Sequence, residues 1–184
     1  MNEKISFNNL PILQIDSISL VPITENDFEK LYSVASDPLI WEQHPNYDRY
    51  KREVFQLYFD GAIASKSAFL IYEINDNQKK VIGSTRYYDY NSEASSVCIG
   101  YTFLAKEYWG GIYNRNIKKV LIDYAFQKVD RILFHIGEKN IRSQKSILKI
   151  GATRIEDVYI DSYGKKVLSF QYQIKKSDWE NKNN

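Results

Sequence analysis

Along the chain the spacing of apolar residues alternates between a helical and an extended period, and each switch predicts a new element. From Ser17, the stretch SISLVPI reads as a short β-branched strand with Pro22 near its end. TENDFEKLYSVASDP follows as a helix, since Phe28, Leu31, Tyr32 and Ala35 recur on one face. Thr24 and Asp27 have the spacing of a capping box, and Pro38 stops the helix. After LIWEQHPNYD, a loop rich in large side chains, RYKREVFQLYFDGAIASK predicts a second helix with Gly61 as a point of interruption.

The middle of the chain changes to a period of two. AFLIYEI and KVIGSTRYYDY flank the polar turn NDNQK, and NSEAS separates the second of them from SVCIGYTFL, which predicts three consecutive antiparallel strands. IYNRNIKKVLIDYAFQKV returns to helix, with Ile117, Val120, Leu121, Tyr124 and Ala125 on one face. RILFHIG reads as a buried strand, NIRSQKSILKIG as a short helix ending at Gly151, and TRIEDVYI with KVLSFQYQI as a closing pair around DSYGK. Residues 1–14 and the polar tail from Ser177 are expected to fray. No repeat or linker divides the chain, so the expected fold is one mixed α/β (α+β) domain over 1–184, a mostly antiparallel central sheet flanked by helices.

Composition narrows the function classes. A length of 184 residues, 43% hydrophobic with 15 tyrosines, suits a folded domain rather than a disordered one. Twenty-five basic against 23 acidic residues leave a net charge of +2, which gives no footing for a nucleic-acid partner. The single cysteine, Cys98, excludes an intrachain disulfide, and with only His44 and His135 beside it no metal is expected. No apolar run reaches the roughly 20 residues that span a bilayer, and MNEKISFNNL lacks a signal peptide's apolar core. The cytoplasm is the expected location, with no membrane partner.

One stretch carries candidate chemistry. EYWGGIYNRNIKK, Glu107 to Lys119, sets Gly110 and Gly111 at the mouth of a helix, where unpaired N–H groups and the helix dipole favour a phosphate. It matches neither G-x-G-x-x-G nor G-x-x-x-x-G-K-[ST], and two glycines can simply turn the chain. In context, IGYTFLAKEYWGG, IKKVLIDYAF and NIRSQKSILKIGA follow one another in an order that resembles the GNAT N-acetyltransferase superfamily, especially the branch of ribosomal-protein N-terminal acetyltransferases. The specific resemblance covers Ile99 to Ala152.

That resemblance implies acetyl-CoA as cosubstrate and no metal. It implies a strand that splays from its neighbour near Leu104, with Phe103 and Leu104 at the edge that receives the pantetheine arm. It places the pyrophosphate on Trp109, Gly110, Gly111, Ile112, Tyr113 and Asn114, and implies a cofactor role for Asn140. Three positions depart from the family pattern: the second glycine falls on Ile112, Cys98 replaces a frequent glutamate, and Ile147 replaces a tyrosine used as general acid. With Ile147 unable to donate a proton, Ser143 is the candidate to assist the leaving thiolate, although it can equally be a first-turn helix residue, and Asn140 a cap. Asp89, Glu93, Glu42 and His44 are candidate bases. The aromatic residues of RYYDY and IWEQHPNY can line an acceptor pocket or simply pack. Cys98 and His135 read best as a small buried residue and a hydrogen-bonded strand histidine. The expected activity is direct acetyl transfer to a primary amine, by a monomer or homodimer. The alternative is a noncatalytic GNAT-fold module that senses acyl-CoA or binds a protein.

Overall fold

The computed structural model describes residues 7–76, 78–162 and 165–183. In chain order the elements are β1 (Leu13–Ile15), β2 (Ile18–Pro22), α1 (Phe28–Ala35), α2 (Arg52–Ser65), β3 (Ala68–Asn75), β4 (Gln78–Asn91) and β5 (Ser96–Leu104). They continue with α3 (Tyr113–Ala125), β6 (Arg131–Gly137), α4 (Ile141–Lys149), β7 (Thr153–Ser162), β8 (Lys165–Lys175) and α5 (Lys176–Asn183). The strands form one sheet in the order β1-β2-β3-β4-β5-β6-β8-β7. Its neighbours are antiparallel, except where α3 carries the chain across from β5 to β6 and so makes that pair parallel.

Alternation along the strands sends side chains to two separate cores. Phe69 and Ile71 of β3 join the larger one, which α3 covers with Ile117, Leu121, Ile122 and Ala125. Leu70 between them faces the smaller one, built by Leu31 and Ala35 of α1 with Phe55, Tyr58 and Phe59 of α2. The capping pair at α1 forms as its spacing predicts: Thr24 N–H donates to Asp27 Oδ2 at 2.9 Å, and a single 3-10 turn, Glu25–Asp27, leads into the helix. α2 runs through Gly61 without interruption.

Both expectations of fraying are corrected where residues are described. Phe7 is buried beside Tyr87, Tyr90 and Tyr124, Leu10 is buried, and the chain then enters β1. Residues 1–6 lie outside the described residues, as does residue 184. At the other end the polar tail forms α5, anchored by Trp179, which is only 9% exposed and whose Nε1–H donates to Asp123 Oδ1 at 2.8 Å. A single large aromatic is enough to hold a short polar helix on a surface that already exists.

One irregularity positions everything that follows. Ser84 pairs with Phe103 and Arg86 with Gly100, so Tyr101 and Thr102 of β5 together oppose Thr85. This is a β-bulge, and Tyr101 takes the left-handed conformation at φ 52° that a bulged residue can require. The extra residue reverses which side chains face which core: Val97 and Ile99 pack on the α3 side, whereas Phe103 turns to the α2 side and Leu104 returns. It also bends β5 away from β6. Their pairing stops at Cys98 and Leu133, although β5 continues to Leu104 and β6 to Gly137.

Candidate active site

Where β5 and β6 part, a cleft of about 450 Å³ opens through the sheet. Asn114, Lys118, Ser143, Ser146 and Ile147 of α3 and α4 line it on one side, and Trp41, Tyr58, Gly61 and Arg86 on the other. The loop after α1 bridges the gap. Arg142 N–H donates to Gln43 Oε1 at 3.2 Å, Arg142 Nη2 pairs with Glu42 Oε1 at 3.4 Å, and Pro45 packs against Gly137. A larger depression of about 770 Å³ lies on the α1 side, between Lys30, Tyr72, Lys80 and Lys106, and holds none of the predicted site residues.

The mouth of α3 has the form expected of an anion cradle. Gly110 has φ 73°, with nothing within 4 Å of where a Cβ would stand, and no side chain caps the helix at Ile112. Ile112 is 66% exposed, so its branched side chain points away from the turn. The turn is held from behind: Tyr108 O–H donates to Glu73 Oε2 at 2.6 Å, Tyr113 O–H donates to Glu73 Oε1, and Trp109 Nε1–H donates to Leu104 O at 2.9 Å. Those two tyrosine hydrogen bonds keep the Glu73 carboxyl below its ordinary range. Arg142 stacks on Trp109 at 3.8 Å from the ring centre, joining α4 to the turn.

Among the residues expected to bind cofactor, Asn114 and Asn140 line the cleft, and Phe103 and Leu104 are buried at the diverging end of β5. Asn140 caps α4 through Oδ1, which accepts from Ser143 N–H at 3.2 Å, and Asn114 Nδ2 donates to Ser146 Oγ. Ser143 faces the cleft as well, and its Oγ makes no hydrogen bond among the described residues.

The candidate bases are not brought together. Glu93 is exposed in the turn between β4 and β5, and Glu42 is paired with Arg142. His44 does line the cleft, with Nδ1 accepting from Asn46 N–H at 2.9 Å and Nε2 3.2 Å from Arg49 Nη1. Burial, and then the Arg49 charge, push its pKa down to about 3. Asp89 lies with Cys98 and His135, one ligand atom from each falling within 4.8 Å of the others. In that group Gln171 Nε2 donates to Glu156 at 2.6 Å, which leaves its Oε1 to accept from His135 Nε2–H at 2.7 Å. Nδ1 of His135 is then the acceptor for Tyr88 O–H at 3.1 Å. Burial raises the Cys98 thiol to about 12, so at neutral pH it stays a protonated, buried side chain.

The structure adds residues to which the sequence reading gave no role. Lys118 is buried in the cleft wall, its Nζ donating to Thr102 Oγ1 at 2.8 Å, and desolvation lowers its pKa to about 7. Arg86 reaches the cleft from β4, and Tyr58 O–H donates to the carbonyl of the bulged Tyr101 at 2.7 Å. The signal for Lys118 was its helical phase, four residues before Ile122 on the buried strip of α3. For Arg86 there was none, because its position depends on the bulge.

A sheet opened between parallel strands, with a glycine turn feeding the crossover helix, defines the class: this is the acyl-CoA N-acyltransferase fold. The chain matches the acetyltransferase (GNAT) domain family model over residues 17–153 and belongs to the GNAT family. No curated protein matches the sequence significantly. Among solved structures, a GNAT-family acetyltransferase from Bacillus anthracis is 18% identical, with 91% of this chain and 99% of that one covered and a TM-score of 0.73. Spermidine N-acetyltransferase from Vibrio cholerae, in complex with CoA and spermine, is 15% identical over 89% and 98% of the two chains, with a TM-score of 0.67. RimJ from Mycobacterium smegmatis, in complex with CoA-disulfide, is 15% identical over 91% and 87%, with a TM-score of 0.66. At these identities the likeness is one of fold.

Proposed function

We propose that the protein, acting as one domain over 1–184, is an acetyl-CoA-dependent N-acetyltransferase that acetylates a primary amine by direct transfer. The observation that carries this reading is the uncapped α3 mouth set beside the unpaired edge of β5, in a chain of the GNAT family. The residues present fit acetyl-CoA. Gly110, Gly111, Ile112 and Tyr113 would hold the pyrophosphate through backbone N–H groups, aided by the helix dipole. The β5 backbone beyond Cys98 would hold the pantetheine arm, and Asn114 and Asn140 stand along its path. The cosubstrate, when bound, supplies the activated acetyl thioester.

The chain's own residues then have separable tasks. Ser143 Oγ is free to donate a hydrogen bond to the departing sulfur. Cys98, kept as a thiol, takes no acyl group, which favours direct transfer. His44 is too weak a base to hold a proton taken from an amine. The Tyr88 hydroxyl, which lines the cleft and donates to His135 Nδ1, offers that proton a route out of the cleft by relay to the imidazole.

The test is thiol release from acetyl-CoA across a panel of peptide N-termini, lysine side chains and small amines. Release with at least one amine is expected, and Ser143→Ala should lower kcat about 10-fold with little change in acetyl-CoA affinity. An unchanged kcat would remove Ser143 from the chemistry. Tight CoA binding without thiol release for any amine would replace the enzyme by a noncatalytic acyl-CoA sensor.

A further inference from the structure

We infer that the acceptor amine carries a carboxylate or phosphate close to its reactive nitrogen, and that Arg86 is the residue that receives this group. The inference rests on the transferase reading above and names its substrate class.

Arg86 is 6% exposed and faces the cleft from the α2 side of the sheet. Its guanidinium lies 4.2 Å from the centre of the Tyr101 ring and 5.4 Å from that of Tyr58. Among the described residues its one hydrogen bond runs from Nη2 to Tyr58 O at 3.0 Å, and its buried Nε has no partner. No described carboxylate forms a salt bridge with it. An arginine is always charged, and a buried charge with neither counter-ion nor a full set of hydrogen bonds is costly. Aromatic faces offset only part of that cost. An anion entering the cleft would complete it, through the fork that arginine presents to carboxylate and phosphate.

Gly61 of α2 lies beside Arg86. It stands inside the helix, where glycine costs about 1 kcal/mol relative to alanine. A Cβ there would come within 3.4 Å of Arg86 Nη1. That is an ordinary contact distance, so the glycine adds room beside the guanidinium without being required by it.

The charge along the whole cleft agrees. Arg49, Arg86 and Lys118 line it, against Asp161 as the carboxylate among the described lining residues. A polyamine or lysine-rich acceptor would bring further ammonium groups into this field. An anionic amine gains a partner instead.

The test compares probes that differ only in the anion: O-phosphoethanolamine against ethanolamine, and a peptide beginning with glutamate against one beginning with glutamine, with spermidine as the cationic control. Turnover is measured with acetyl-CoA, and binding to the CoA-saturated protein by calorimetry. The wild type should prefer at least one anionic probe over its neutral partner by 10-fold or more in kcat/KM. The phosphate and peptide arms show which source of the anion is used. Arg86→Gln should bring that ratio close to one, chiefly through KM, and Arg86→Lys should retain part of it and guard against a misfolded Gln variant. Equal or better turnover of neutral or cationic probes overturns the inference and leaves the enzyme intact. Arg86-dependent binding of an anionic amine without turnover of any probe leaves the inference standing and overturns the enzyme. Neither binding nor turnover of the anionic probes overturns the inference.

Discussion

Lys118 and Lys119 are adjacent in sequence and opposite in circumstance. Lys119 reaches solvent and pairs with Asp123 at 2.6 Å, one helical turn on, whereas Lys118 is buried with Thr102 Oγ1 as its hydrogen-bond partner. The folded state depresses its pKa from 10.5 to about 7, so the unfolded chain binds this proton more readily. The resulting loss of stability is absent above pH 10.5, grows as pH falls through that window, and is complete below about pH 7. Lys118→Met should therefore stabilise the protein by about 2–4 kcal/mol at pH 6 and by little at pH 10.5. Denaturant unfolding at the two pH values checks this, and a gain of equal size at both would contradict the burial of an ionisable amine. At this scale the sequence was legible where chemistry is local. The capping pair Thr24 and Asp27 needed only its neighbours. Arg86 and Lys118 needed a cleft that other elements build.

The elements themselves were largely readable from periodicity. The strands over residues 68–104, α3 and α4 fall where alternation and helical spacing predict, because each buries one face against a neighbour adjacent in the chain. The bulge in β5 escaped, since TFL alternates no differently from an unbulged strand. It has a testable consequence. A Cβ at Gly83 would lie 2.0 Å from the carbonyl oxygen of Phe103, on the bulged strand itself. Backbone cannot yield as a flexible side chain can, so Gly83→Ala should cost about 3 kcal/mol or more. The same change should weaken CoA binding, because β5 is a wall of the cleft. Thermal unfolding and CoA titration measure the two effects. β1 and α5 also escaped: one is three residues long, and the other has Trp179 as its buried anchor in an otherwise polar segment.

For the whole molecule, ligand linkage offers the broadest test of the proposed site. CoA at 100 times its Kd should raise the unfolding free energy by about 2.7 kcal/mol if it binds the folded chain alone. Gly110→Glu places bulk and negative charge where the α3 mouth would meet the pyrophosphate. Its stability without CoA should fall by about 1–2 kcal/mol, because a side chain at φ 73° is strained. Its CoA-induced shift should largely vanish, and a shift equal to that of the wild type would displace the phosphate site from this turn. The sequence by itself determined the order of elements from β2 to β8 and the resemblance to an acetyl-CoA site, because both reside in local spacing and contiguous motifs. Only the tertiary structure decided that the base candidates do not converge and that a buried arginine faces the cleft. Those properties arise from burial and from charges on separate elements, and they exist only once β5 bends away from β6.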